Sequence, residues 1–501
     1  MERKSAPRAP TGLGGLDEIL GGGLPRGGIY LIKGEPGTGK STLGLQFLID
    51  GARAGEPAVY ITLSESESGL RASARSHGWS LDGIVIHELG SIGSDVVGQE
   101  QYTLFHPTEV ELAELTRKII ATTSGLHAPR VVLDSLSELR LLTHDALRYR
   151  RQLLALARVF GAQQATVLFL DEGGPEGLAD VQIESLAHGV LRLEQSFPEI
   201  GDVRRRLRVM KVRGTPFRGG YHDATIETGG MVIHPRLRIA DHHADFVRET
   251  VSTGVPDLDA LLGGGLDRGS TTLLMGPTGS GKSVLVTRIA VAAAARGEHV
   301  AMFVFDEVLD TMLARSDGLA MGLREHVESG RIALRAIDPG ELAPWQFARA
   351  VLHTAERDGA RLIVIDSINS YLNAMPDERS LDLALHELFG CLSQLGVVTV
   401  TTLVRHGLLG DRAASTVDIS YLSDMVVLLS LFEADGALHR AISVVKRRRG
   451  AHGNAIHQLH IGPGGFSLGS PLRSYRGVLT GIPEYLGKAV PRRESDGPEG
   501  G

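Results

Sequence analysis

The nonapeptide GEPGTGKST at residues 34–42 returns as GPTGSGKSV at residues 276–284. The pattern G-x-x-x-x-G-K-[S/T] describes a loop whose backbone N–H groups converge on phosphate, placed between a buried strand and the start of a helix. It is met by Gly34, Gly39, Lys40 and Ser41, and again by Gly276, Gly281, Lys282 and Ser283. Gly37 and Gly279 let the backbone curl, and Thr38, Thr42, Ser280 and Val284 complete the two nucleotide-binding stretches. Lys40 and Lys282 would reach the β- and γ-phosphates of ATP, while the hydroxyls of Ser41 and Ser283 would ligate Mg2+.

The likeness runs well beyond the loops. GLGGLDEILGGGLPRGGIYLIKGEPGTGKST (12–42) aligns without a gap on GVPDLDALLGGGLDRGSTTLLMGPTGSGKSV (254–284), at a constant spacing of 242 residues. Such agreement marks a tandem duplication. In each copy an apolar strand enters the loop and a helix follows, over 41–54 and 283–296. A second strand (AVYITLSE, HVAMFVFDE) and a third that ends in Asp (RVVLDS, RLIVIDS) come next, and further β-rich runs close each half. Continuous apolar strands alternating with helices predict a mostly parallel sheet covered on both faces. The expected division is an extension over 1–10, domains over 11–240 and 252–470, a linker over 241–251, and a tail over 471–501 whose last dozen residues read as disordered.

Magnesium held by a phosphate loop takes a strand-end Asp as its second acidic partner, which points to Asp134 and Asp366; a strand-end Asp can equally cap a helix. Hydrolysis or transfer also needs a carboxylate to orient or deprotonate the attacking hydroxyl. The end of the second strand offers Glu65 in the first copy and Asp306 and Glu307 in the second.

Two copies of GxxxLDxxLGGGLxRG before a phosphate loop, a strand-end Asp and a late K-x-R-G strand resemble the KaiC family over about residues 10–470. The resemblance implies two tandem RecA-like P-loop NTPase domains. It implies a hexameric ring with ATP and Mg2+ held between neighbouring subunits, and a protein that is both ATPase and serine/threonine autokinase. Late-strand cations would reach the neighbour's phosphates: Lys211 and Arg213 in the first domain, Arg449 in the second, with the Lys position open between Lys446 and Arg447. The family's paired glutamates correspond to Ser64 and Glu65 in the first domain and to Asp306 and Glu307 in the second. The first copy then reads as tuned for binding and ring assembly, the second for chemistry. The autophosphorylation sites fall on VDISYLSDMVVLL, making Ser420 the candidate phosphoacceptor with Ser423 nearby; Tyr421 stands where the family has Thr. The tail SPLRSYRGVLTGIPEYLG does not match the clock protein's partner-binding tail and suggests a non-clock relative with signalling partners of its own.

Composition narrows the rest. A net charge of −7, with basic runs confined to VRRRLR and VKRRRG, disfavours nucleic acid as a partner. A DNA-dependent motor of the same fold stays as an alternative that a DNA-stimulated ATPase assay decides, and a catalytically weak, ATP-glued scaffold is the other. No apolar run is long enough to span a membrane, and the single Cys391 suits a reducing cytoplasm. His242 and His243 lack further ligands at metal spacing and read as linker.

Overall fold

The computed structural model describes residues 7–89, 107–142, 145–173, 183–198, 201–373, 381–404, 420–480 and 483–486. It divides into two compact units, one ending at Arg236 and the other beginning at Leu237.

In the first unit the central strands are β1 (Ile29–Lys33), β2 (Ala58–Thr62), β3 (Ile84–Glu88), β4 (Arg130–Asp134) and β5 (Thr166–Asp171). They are followed by β6 (Gly189–Ser196), β7 (Arg204–Val212), β8 (Tyr221–Glu227) and β9 (Gly230–His234). The sheet order is β3-β2-β4-β5-β1-β6-β7-β8-β9, parallel from β3 to β6 and antiparallel beyond. Helices α1 (Lys40–Arg53), α2 (Glu67–Ser76), α3 (Pro107–Thr122), α4 (Leu136–Leu141) and α5 (Ala146–Ala162) fill the crossovers. Alternate residues of one strand serve different cores: Tyr30 and Ile32 pack on one face of the sheet, Ile29 and Leu31 on the other.

The second unit repeats this plan. Its strands are β10 (Thr271–Gly276), β11 (His299–Val304), β12 (Ile332–Ala336), β13 (Ala360–Asp366), β14 (Val398–Val404), β15 (Met425–Ala434), β16 (Ala437–Arg447), β17 (His457–Gly462) and β18 (Gly465–Pro471). Their order, β12-β11-β13-β14-β10-β15-β16-β17-β18, is that of the first sheet position for position. Helices α6 (Lys282–Ala295), α7 (Leu309–Gly318), α8 (Leu323–Glu328), α9 (Pro344–Glu356), α10 (Ile368–Asn373) and α11 (Leu381–Gln394) cover it. These are two tandem RecA-like P-loop folds.

The repeated lead-in is structural. Asp17 Oδ1 accepts from the backbone N–H and hydroxyl of Thr11, both at 2.8 Å, and Asp259 Oδ1 does the same for Thr253 at 2.8 and 2.7 Å. A Cβ on Gly23 or Gly265 would come within 2.4 Å of the carbonyl of Ala9 or Val251, so the third glycine of each triplet lets the chain cross itself. Burial of the Cys391 thiol pushes its pKa up to about 12. No helix among the described residues is long and apolar enough to cross a membrane. The two histidines expected in the linker bond to the second unit's helix ends, His242 Nδ1 to Glu356 of α9 at 2.7 Å and His243 Nδ1 to Gln394 of α11 at 3.2 Å. The last dozen residues lie outside the described ones.

Candidate functional site

Each phosphate loop bridges its first strand and the helix that follows. Gly39 and Gly281 immediately precede α1 and α6 with φ of 95° and 103°, a conformation that disfavours any side chain. Thr38 and Ser280 are fully buried beneath the loops, Thr42 and Ser283 are half-buried and Val284 is buried. Lys40 Nζ donates to the carbonyls of Gly34 and Glu35 at 2.8 and 3.0 Å; Lys282 Nζ donates to those of Gly276 and Pro277, both at 2.9 Å. Both ammonium groups are thus held at the loop mouth. Burial lowers both lysine pKa values, opposed by Asp134, Glu172 and Asp171 in the first unit and by Asp366 in the second.

In the first unit the strand-end aspartate stands beside the helix-start serine. Asp134 Oδ2 accepts from Ser41 Oγ at 2.7 Å and from Tyr60 OH at 2.6 Å. Residue 135, not 134, occupies the N-cap position of α4, which leaves the Asp134 carboxylate for the loop. Asp366 takes its hydroxyl from the opposite neighbour strand, Thr402 on β14. The register equates Tyr60 with Met302 and Thr402 with Leu170, so each buried carboxylate has one hydroxyl donor on a neighbouring strand, the two reached from opposite sides. Neither donor stood out in the sequence, where both sit within apolar strands. A hydroxyl and a carboxylate on rigid elements are hard oxygen donors of the kind Mg2+ accepts beside phosphate, and Ser41 with Asp134 fits that ion; Ser283 and Asp366 stand at the matching sequence positions of the second unit.

The second-strand acids differ between units. Glu65 is exposed; partial burial and then Asp134 raise its pKa. Asp306 is held on both oxygens, by Ser367 Oγ at 2.5 Å and by Ser370 Oγ, while Glu307 pairs with Arg315 at 2.5 Å. The serines after Asp366 were the legible signal for that clasp.

At the late strand the structure departs from the expected alignment. Lys211 opposes Val190 and Lys446 opposes Val426, each beside a bulge. Lys211 donates to the carbonyl of Glu184, and Arg213 to that of Ser185 at 2.5 Å. Lys446 donates to the carbonyls of Ser420 and Ser423 at 2.9 and 2.8 Å, and Arg448 to that of Tyr421 at 2.6 Å. Lys446 and Arg448 therefore occupy the places of Lys211 and Arg213. The added residue falls after them, at Arg449 in the turn. Arg447 corresponds to Val212 and points inward, bonded to the Leu262 carbonyl and to Asp267 at 3.0 Å. Ser420 is half-buried in a short 3-10 turn; Ser423 is 1% exposed.

The family model for the KaiC ATPase matches residues 9–238 and 251–472. The chain belongs to the KaiC ATPase family. It is 26% identical to the circadian clock protein KaiC3 of Synechocystis sp., covering 99% of this chain and 98% of that one. It is 27% identical to the circadian clock oscillator protein KaiC of Picosynechococcus sp., over 96% and 93% of the two chains. The clock oscillator protein KaiC of Synechococcus elongatus is also 27% identical, over 97% and 93%.

Proposed function

We propose that this KaiC-family ATPase is a ring-forming, two-site enzyme that binds MgATP in both units and transfers phosphate to its own Ser420 in the second. The observation that carries the autokinase reading is the clasp of Lys446 and Arg448 on the turn Ser420–Ser423. If these cations reach a neighbour's γ-phosphate, the same turn delivers a hydroxyl to that phosphate, so acceptor and charge-neutralising groups arrive together. Ser420 Oγ would bond to the γ-phosphorus as the bond to the β–γ bridging oxygen breaks; ADP leaves and the hydroxyl proton passes to Asp306 of the subunit that holds the ATP. The burial of Ser423 favours Ser420 over it. Ser41 with Asp134, and Ser283 with Asp366, would hold Mg2+, whose charge offsets that of the phosphates. Lys40 and Lys282 would contact those phosphates, Lys211 and Arg213 would serve the first interface, and Glu65 and Glu307 would orient the attacking group. A soluble cytoplasmic ring with signalling partners fits this reading.

A second reading draws on the acids: with Asp306 bound by two serines and Glu307 by Arg315, the second site holds ATP as a structural glue and turns it over weakly. Incubation with γ-labelled ATP and Mg2+, following released phosphate and protein-bound label together, separates the two. Label mapped to Ser420 and lost with Asp306→Asn/Glu307→Gln supports the autokinase. Tight ATP binding without label or turnover supports the scaffold.

A further inference from the structure

The two units differ in a correlated way where the second strand meets the helix after the third. In the second unit β11 ends at Val304, paired with Asp366 of β13, and Asp306 lies two residues on. In the first unit β2 ends at Thr62, paired with Asp134 of β4, and Ser64 lies two residues on. Helices α10 and α4 both begin two residues after the paired Asp and have the same length, so Ser367 corresponds to Ser135, Asn369 to Ser137 and Ser370 to Glu138. The acid and the hydroxyl have therefore traded places across this junction: Asp306 on the strand side with Ser370 on the helix, against Ser64 on the strand side with Glu138 on the helix.

Two further observations orient the exchange. Asn369 bonds the backbone of Val404 at the end of β14, leaving Ser370 to face Asp306. Ser137 makes the matching bond, accepting from Glu172 N–H at 3.1 Å and donating to Asp171 at 3.1 Å at the end of β5, and Arg140 pairs with Asp171 as well. Helix α4 is thus pinned with the same face toward β5, which turns Glu138 toward the end of β2. The second observation is a hydroxyl left over. Ser367 Oγ donates to Asp306, whereas Ser135 Oγ, in a residue 2% exposed, has no hydrogen-bond partner among the described residues. It occupies the place of Ser367, whose hydroxyl donates to Asp306, and a carboxylate entering from Glu138 would satisfy it.

We infer that Glu138 supplies the acid that Ser64 lacks, and that the first site hydrolyses ATP with Glu138 and Glu65 as its carboxylate pair. This rests on the two-site ATPase reading above. A water oxygen would bond to the γ-phosphorus while the bond to the β–γ bridging oxygen breaks; ADP and phosphate leave, and the water's proton passes to the carboxylate and on to solvent. Glu138 is half-buried on this pinned helix, and its side chain is longer than that of the aspartate on the strand side of the second unit.

The test uses the full-length protein with second-site chemistry silenced by Asp306→Asn/Glu307→Gln, and Lys40→Ala in that background sets the zero. Phosphate release and ATP binding are measured for the background, Glu138→Gln, and Glu138→Gln/Ser64→Asp, with melting curves to check folding. The expected result is a fall of at least tenfold in Glu138→Gln with ATP still bound, and recovery to within about threefold when Ser64→Asp returns the acid to the strand side. Release from Glu138→Gln equal to the background overturns the inference. Loss without rescue by Ser64→Asp also overturns it, because a helix damaged by the substitution would not be mended from the strand. A background already at the Lys40→Ala zero overturns it as well, while turnover by the unmodified second site then decides the two-site reading separately.

Discussion

Removing one hydroxyl tests the construction of the first site. Tyr60 is fully buried and its OH donates to Asp134 at 2.6 Å, on the oxygen that Ser41 also reaches. Burial and the neighbouring carboxylate push the phenol pKa far above 10, so it remains a donor at any working pH. Tyr60→Phe keeps the ring and its packing and deletes only this bond. A hydrogen bond to a charged acceptor contributes about 1.5–3 kcal/mol, against about 0.5–1.5 kcal/mol for a neutral one. Tyr30, equally buried, provides the neutral reference, since its OH donates to the Pro25 carbonyl at 2.6 Å. Tyr60→Phe is therefore expected to destabilise the first unit about twice as much as Tyr30→Phe. For a unit of this size each kcal/mol lowers the melting temperature by roughly 2–4 °C. The functional consequence is specific to Tyr60. A group that orients a metal's carboxylate partner typically changes metal affinity by about 10–100-fold when removed. In a Lys282→Ala background, the Mg2+ midpoint for binding of a fluorescent ATP analogue should rise about tenfold or more in Tyr60→Phe and stay unchanged in Tyr30→Phe. Equal stability losses together with an unmoved Mg2+ midpoint would refute the placement of Tyr60 in the metal's outer shell.

Other consequences follow from single side chains. Arg448→Ala should lower second-site turnover in the assembled protein at least tenfold without changing the melting of the second unit. Arg447→Ala should do the reverse, since it breaks a largely buried pair with Asp267 and costs about 3–5 kcal/mol, read from thermal unfolding. Hydrogen bonds from Arg26, with Arg130 adding to them, hold Glu56 at a pKa of about 2 against an ordinary 4.5. The sign is that of a depressed carboxylate: its stabilisation is complete above about 4.5 and is lost as pH falls toward about 2, so Glu56→Gln should flatten the acid limb of first-unit stability across that window.

The loops, the strand-end aspartates and the sheet class were legible because strong local patterns carry them. A buried parallel strand must be apolar throughout, and a phosphate loop must have glycine where φ is positive. The identity of the late-strand cations was not legible. Aligning VKRRRG from its glycine puts the extra residue before the arginine, whereas strand pairing puts it after. The bulges at Met210 and Val445 keep Lys211 and Lys446 in register, and only cross-strand partners reveal that. Tyr60, Thr402 and Glu138 were missed for a related reason. Each makes sense only beside a residue far away in the chain.

That pattern has a physical basis which one more cycle can measure. Arg140 pairs with Asp171, a residue only 1% exposed, and the register places Leu372 and Leu403 at the same two positions of the second unit, where both pack into the core. An ion pair in one copy and an apolar pair in the other are both self-consistent, but a mixed pair is not, because it strands a charge at the buried end of a central strand. Arg140→Leu alone removes a charged donor from a buried carboxylate that then keeps, among the described residues, the Ser137 hydroxyl, and should destabilise the first unit by about 3–5 kcal/mol. Arg140→Leu/Asp171→Leu reproduces the second copy's solution and should cost far less than the two single changes added together, a coupling readable from a double-mutant cycle on the first unit's melting. Additive losses would mean that the two side chains do not depend on each other. Coupling would mean that these copies diverged by exchanging contacts whole, which is why an acid missing from one position, such as Ser64, has to be sought at the position it touches before the site is read as silent.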